Sequence, residues 1–183
     1  MDCYTSLAGG YDSLTEDVQY EKRAAFLQKL LAKSTIPVHT VLDLACGTGT
    51  MTCLLAEAGY EMIGVDLSED MLSEAAGKTV SPGKIPPIYL QQSMEELDLY
   101  GTVEAAVCCL DSINYLTDAR ALKRALQRLH LFVAPGGVFL FDVNTPCKLR
   151  SLDGQVFLDE REDLYCVWRA DFDAKSRICT YGF

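Results

Sequence analysis

The fold is decided by Val41-Leu42-Asp43-Leu44-Ala45-Cys46-Gly47-Thr48-Gly49-Thr50, by residues 51–59 after it, and by Tyr60-Glu61-Met62-Ile63-Gly64-Val65-Asp66. Residues 38–44 are a short, mostly apolar run, as expected of a parallel strand covered on both faces. Gly47 and Gly49 permit a sharp turn and a close approach of a ligand to the main chain. Residues 50–58 then read as a helix with Met51, Leu54, Leu55 and Ala58 on its apolar face, and Gly59 sits where a helix needs a left-handed residue to stop. A second strand ends on Asp66, where a carboxylate can accept both hydroxyls of a ribose. Strand, glycine turn, helix and acid-terminated strand make a nucleotide-binding half-fold.

The order Asp43-x-Ala45-x-Gly47-x-Gly49 lacks the third glycine of a dinucleotide fingerprint, and it puts an acid ahead of the turn. A carboxylate there disfavours phosphate and suits an ammonium or sulfonium group. Residues 42–75 (LDLACGTGTMTCLLAEAGYEMIGVDLSEDMLSEA) resemble motifs I and II of the Rossmann-like, class I S-adenosylmethionine-dependent methyltransferases. Ala45 departs from the glycine usual in that family.

The resemblance implies an α/β, doubly wound and mostly parallel sheet, S-adenosylmethionine as cofactor and S-adenosylhomocysteine as product. It implies methyl transfer by in-line displacement to an unidentified small-molecule acceptor. It also implies roles for particular residues. Asp43 would lie near the methionine ammonium, and the main chain of Ala45, Cys46 and Gly47 around the methionine portion. Asp66 would hold the ribose, with Leu67 and Met71 near the adenosine; Met71 reads equally well as core. Ser93 and Met94 would frame the adenine. The family often has aspartate at the position of Ser93, and a serine hydroxyl accepts a hydrogen bond there more weakly. Tyr4 or Tyr11 would fold over the cofactor from the N-terminal segment, or else pack on the core.

With 183 residues, the expectation is one domain over 1–183: a helical cap at 1–36, a cofactor-binding core at 37–145 and a β-hairpin at 155–183. A net charge of -10 and the lack of a basic run argue against DNA and leave RNA a minor reading. Eight cysteines form no Cys-x-x-Cys, and neither His39 nor His130 stands at metal-ligand spacing from one. No metal is expected, and free thiols suit a reducing cytoplasm. No apolar run approaches ~18 residues, so no membrane span is expected.

Elsewhere, Ser13 and Glu16 have the spacing of a capping box for a helix through Lys33, with Val18, Phe26, Leu27, Leu30 and Leu31 at helical spacing. Ser68 is read as the cap of the helix after Asp66. The loop at residues 77–87, with Lys78 and Lys84, carries no assigned chemistry, and residues 87–91 make a third strand. Residues 103–110 are a fourth strand leading into Asp111-Ser112-Ile113-Asn114-Tyr115-Leu116, on the ligand side of an open α/β sheet. That segment resembles the Asp-Ser-x-Asn-Tyr-Leu of a small-molecule-like branch of the family. Asp111 is thereby a cofactor-side candidate, and Asn114, Tyr115 and Asn144 are substrate-side candidates. Cys108 and Cys109 read as buried strand thiols. Thr117 would cap a helix burying Leu122, Ala125, Leu126 and Leu129, with Arg120, Lys123, Arg124 and Arg128 on its solvated face. Residues 134–137 read as a turn before a fifth strand at 138–142.

Residues 164–172 and 177–181 are expected to pair as an antiparallel hairpin about a turn at 173–176. The resembled family continues through another helix and two strands to a seven-stranded sheet. The expectation is a chain that lacks those last strands through truncation, with the fifth strand as an edge able to pair with a second copy in a homodimer. No catalytic residue or general base is identified. Three alternatives stay open: a non-catalytic S-adenosylmethionine-binding or interaction module, an RNA methyltransferase, and an NAD-dependent oxidoreductase that shares the half-fold.

Overall fold

The mostly apolar runs at residues 41–44 and 103–108, interrupted by Asp43 and Glu104, call for burial on two faces, and they form the middle of the sheet. The computed structural model describes residues 7–160 and 165–182; Tyr4 lies outside them. The chain divides into two units, residues 1–142 and 143–183. In the first, α1 (Ala8–Leu14), a 3-10 turn (Glu16–Val18) and α2 (Tyr20–Leu31) precede β1 (Thr40–Leu44), α3 (Thr50–Glu57), β2 (Glu61–Asp66) and α4 (Glu69–Gly77). Then come β3 (Ile88–Gln91), a 3-10 turn (Met94–Glu96), β4 (Val103–Cys108), a 3-10 turn (Ser112–Tyr115), α5 (Ala119–Phe132) and β5 (Val133–Phe141). All pairings are parallel and the order is β3-β2-β1-β4-β5.

Alternation along β1 divides the core between the two faces of the sheet. Val41 joins Leu27, Leu31, Met51, Leu55 and Val107, whereas Leu42 and Leu44 join Leu97, Ala106, Cys108 and Leu129. Asp43, two residues from Val41, therefore points to the α3 side of the sheet. The buried face of α3 is Met51, Thr52, Leu55 and Ala56, while Ala58, expected inside, is exposed. Gly59 ends α3 with φ +104°; its N–H donates to Ala56 O and that of Tyr60 to Leu55 O, the double closure of a left-handed helix stop.

Several local expectations are corrected. The Ser13–Glu16 capping box does not form: Ser13 lies inside α1, and α2 begins after Gln19, which has φ +57°. α5 is capped at Asp118, with Thr117 outside it, and it buries Ala121, Ala125 and Leu129 while Leu126 is exposed. The Pro-Gly-Gly segment is no separate turn, because β5 runs through it, with an irregular register between Val103 and Ala105.

The second unit contains α6 (Pro146–Ser151), β6 (Gln155–Glu160), β7 (Tyr165–Asp173) and β8 (Ile178–Gly182). The expected hairpin is present as β7 and β8, but β6 adds a third antiparallel strand. α6 was not anticipated, although Thr145 accepts from the Lys148 N–H and Pro146 fills the first turn, an ordinary helix start.

Candidate cofactor and acceptor site

At the carboxyl ends of β1 and β2 the backbone is bent by a left-handed residue at Ala45 (φ +60°) and again at Gly47 (φ +55°) and Gly49 (φ +72°). The bend brings the Gly47 N–H to Asp66 Oδ2 at 2.8 Å, and the Ser68 N–H reaches Asp66 Oδ1 at 2.9 Å. One carboxylate thus ties the glycine turn to the start of α4, whose cap is Ser68 as expected. A Cβ added at Gly47 would meet nothing within 4 Å, so the main chain there is open to a ligand. Gly49 and Gly64 have a different reason: added Cβ atoms would fall 2.6 Å from the Tyr89 hydroxyl and 2.6 Å from the Tyr89 ring.

Asp43 is 2% exposed, and its Oδ2 accepts from the Thr52 hydroxyl at 2.6 Å. Burial pushes its carboxyl up to about 6; Thr52 opposes that rise and nearby Asp66 adds to it. Burial and the two acids push the Cys46 thiol far above its usual range, which makes it a packing group and no nucleophile. The thiols of Cys108 and Cys109 are raised by burial as well. Met71 is 3% exposed, in the core, whereas Leu67 stands out at 64%.

β3 delivers the next candidates beside Asp66. Asp66 pairs with Gln91, and the Gln92 N–H donates to Asp66 O, so Ser93 and Met94 follow immediately. The Ser93 hydroxyl donates to Glu96 at 3.3 Å, and half-buried Met94 packs on the core under α5. From β4, Leu110 (φ +57°) and Asp111 (φ +54°) are consecutive left-handed residues, a strained pair of the kind found at functional loops. Asp142 braces them by accepting the Asp111 N–H at 3.0 Å, while Ser112 donates to Cys109 O and the Asn114 N–H to Asp111 O.

Tyr11 joins the two groups. Its hydroxyl is pushed far up by burial, and then by Tyr20, Tyr115, Asp111 and Asp66. Tyr11 is thus near Asp66, Asp111 and Tyr115, and the Asp66 carboxylate is itself tied to the Gly47 N–H. Asn144 lies in the second unit. A group that sequence reasoning missed holds α1 in place. Asp12 accepts from Thr48 at 2.6 Å and from Thr50 at 3.1 Å, and it pairs with Lys78 at 2.5 Å. Burial alone would raise the Asp12 carboxyl, but Lys78 and the two threonines hold it below the usual range. Among the described residues, no group of three or more His, Cys, Asp or Glu could hold a metal ion.

A five-stranded parallel sheet with an acid at the tip of β2 and a glycine turn after β1 defines a Rossmann-like nucleoside-binding domain. The methyltransferase-domain family matches residues 41–137. The Bacillus subtilis protein named "Putative methyltransferase YqeM" is 34% identical over 169 residues, covering 91% of this chain and 66% of that protein. An S-adenosylmethionine-dependent methyltransferase of known structure from Clostridium acetobutylicum is 33% identical, with a TM-score of 0.80 over 94% of this chain and 70% of that one. A Streptomyces fradiae N,N-dimethyltransferase of dTDP-3-amino-3,6-dideoxy-alpha-D-glucopyranose is 31% identical over 67% of this chain and 46% of that protein. The chain belongs to the class I S-adenosylmethionine-dependent methyltransferases. It spans about two thirds of the Bacillus protein's length.

Proposed function

We propose that this chain binds S-adenosylmethionine at the carboxyl ends of β1, β2 and β3 and transfers its methyl group to a small-molecule acceptor. The observation that carries the reading is the joint geometry of Gly47, Asp66 and Asp43. Each Asp66 oxygen already holds one backbone N–H and keeps further lone-pair capacity for a ribose hydroxyl. The missing Cβ of Gly47 leaves room along the main chain, and Asp43 supplies a buried negative charge suited to an ammonium group. The residues present fit the cofactor.

The cofactor, when bound, supplies an electrophilic methyl on a positively charged sulfur. In this reading Asp43 faces the methionine ammonium, with the main chain of Ala45, Cys46 and Gly47 along that portion. Asp66 orients the ribose, Ser93 accepts from the adenine amine, and Met94 and Leu67 give it apolar cover. Tyr11 closes over the site from α1 and excludes water. Asp111 lies on the cofactor side, and Asn114 and Tyr115 line the acceptor side. Alignment and water exclusion do most of the work, since no base is required where the acceptor is already nucleophilic.

A small acceptor is favoured by the amino-sugar methyltransferase among the relatives and by the net charge of -10. A cytoplasmic setting is favoured by the free thiols of the described cysteines; no helix among the described residues is long and apolar enough to cross a membrane. The outer edge of β5, last in the sheet order, is the surface we assign to pairing with a second copy. The test is calorimetric titration with S-adenosylmethionine and S-adenosylhomocysteine. Both should bind, and Asp66→Ala should weaken binding by about 1.5–3 kcal/mol, the range for a charged hydrogen bond. Undiminished affinity in Asp66→Ala, or no binding by the unaltered chain, would reject the proposal.

A further inference from the structure

The basic face of α5 is not simply solvated. Arg124 donates through Nε to Glu95 Oε1 at 3.1 Å and makes a second contact with the same oxygen through Nη2. One turn on, Arg128 donates through Nε to Leu97 O at 2.7 Å and through Nη2 to Asp98 Oδ1 at 3.1 Å. Its guanidinium also lies over the Phe132 ring, 5.4 Å from the centroid. Both arginines therefore grip a single short stretch, residues 95–98. That stretch is closed on itself: the Gln92 side chain donates to Asp98 O at 2.9 Å and accepts the Asp98 N–H at 2.8 Å. The loop at residues 92–98 is thus a ring, fastened at one end to Asp66 through Gln92 and at the other to α5 through Arg128. Ser93 and Met94 sit inside that ring.

We infer that Arg124 and Arg128 are positioning residues that set the adenine end of the cofactor site by fixing the loop at residues 92–98. This rests on the proposed binding of S-adenosylmethionine. The reason is geometric. Leu97 is fully buried, so its carbonyl needs a donor, and the half-buried Arg128 side chain provides it. Planar guanidinium donors fix direction as well as distance, which a lysine ammonium does not. With Ser93 in the family's aspartate position, one hydroxyl in place of a carboxylate must be held in register to accept the adenine amine. A rigid loop compensates for a weaker acceptor. Two of the four basic residues on α5 are thereby committed internally and withdrawn from any phosphate backbone.

The experiment compares S-adenosylhomocysteine with S-inosylhomocysteine, in which a carbonyl replaces the adenine amine, by calorimetric titration of the 183-residue chain. The unaltered chain should prefer the adenosyl compound. Arg128→Met, which keeps the stem on Phe132, should lose about fivefold in affinity for it, the equivalent of one ordinary hydrogen bond. Its affinity for the inosyl compound should stay within twofold, so the preference collapses. Arg128→Lys should restore only part of it. Glu95→Gln and Arg124→Met, which loosen the loop without touching Arg128, should reduce the preference in the same direction and stand in if Arg128→Met does not fold. Equal losses for the two ligands, or an unchanged preference in these variants, would overturn the inference while leaving the cofactor site intact. An unaltered chain that binds neither compound would overturn the proposed function and this inference together.

Discussion

Asp43 makes a quantitative test of the site, because its burial and its proposed ligand pull its proton in opposite directions. The carboxyl moves from an ordinary 3.8 to about 6 even with the Thr52 hydroxyl donating to it. At about 1.4 kcal/mol for each pH unit, the ionised form costs the folded chain about 3 kcal/mol. The sign follows from proton counting. Between pH 3.8 and about 6 the folded chain holds a proton on Asp43 that the unfolded chain has lost, so stability from this group falls as pH rises through that window and stays low above it. An ammonium beside Asp43 favours the carboxylate and reverses the preference. At pH 5 Asp43 should be about nine-tenths protonated in the free chain, and binding must expel that proton, weakening affinity about tenfold relative to pH 7.5.

Titration of S-adenosylhomocysteine in two buffers of different ionisation heat reads affinity and proton release together. Binding should release nearly one proton at pH 5 and almost none at pH 7.5. Asp43→Asn keeps an oxygen for Thr52 and removes the charge, so its affinity should be weak and flat across the range. The same substitution should raise unfolding stability at pH 7.5 by about 2 kcal/mol, part of the 3 being offset by the new amide N–H groups in a buried site. A flat affinity profile in the unaltered chain, or unreduced affinity of Asp43→Asn at pH 7.5, would refute the placement of the ammonium beside this carboxylate.

Ala45→Gly should stabilise the chain by about 0.5–1 kcal/mol in urea unfolding, since relief of the left-handed strain at φ +60° exceeds the entropy that glycine adds to the unfolded state. Gly64→Ala should destabilise by about 1–3 kcal/mol through the Tyr89 ring, and Tyr89→Ala in the same chain should recover part of the loss, a coupling that a double-mutant cycle measures. Lys78→Met should lower global stability by less than about 1 kcal/mol, because the ion pair with Asp12 is partly exposed. It should nevertheless speed amide exchange across α1, which mass spectrometry would detect; unchanged protection there would remove Lys78 from the latch.

What could be read from the amino-acid order depends on where each group finds its partner. Strands β1, β2 and β4 were legible because burial on two faces leaves a mostly apolar run, and the Gly59 stop and the Ser68 cap were legible because their partners lie within three to five residues. The Ser13 capping box failed for the opposite reason. Asp12 is held by Thr48 and Lys78, 36 and 66 residues away, and that contact fixes α1 in a register where Ser13 has no helix start to cap. The same limit hid Thr52 as the partner of Asp43, because a threonine on a helix face carries no apolar periodicity. It also hid the internal contacts of α5. A row of arginines at helical spacing is, by composition alone, a solvated face or a phosphate-binding one, and only the fold brings residues 95–98, some 30 positions earlier, under two of them. Motifs that bind the ligand through local backbone announce themselves in sequence, while the side chains that hold those motifs still are drawn from anywhere in the chain. Specificity built on the second kind can therefore change without any change in the motif.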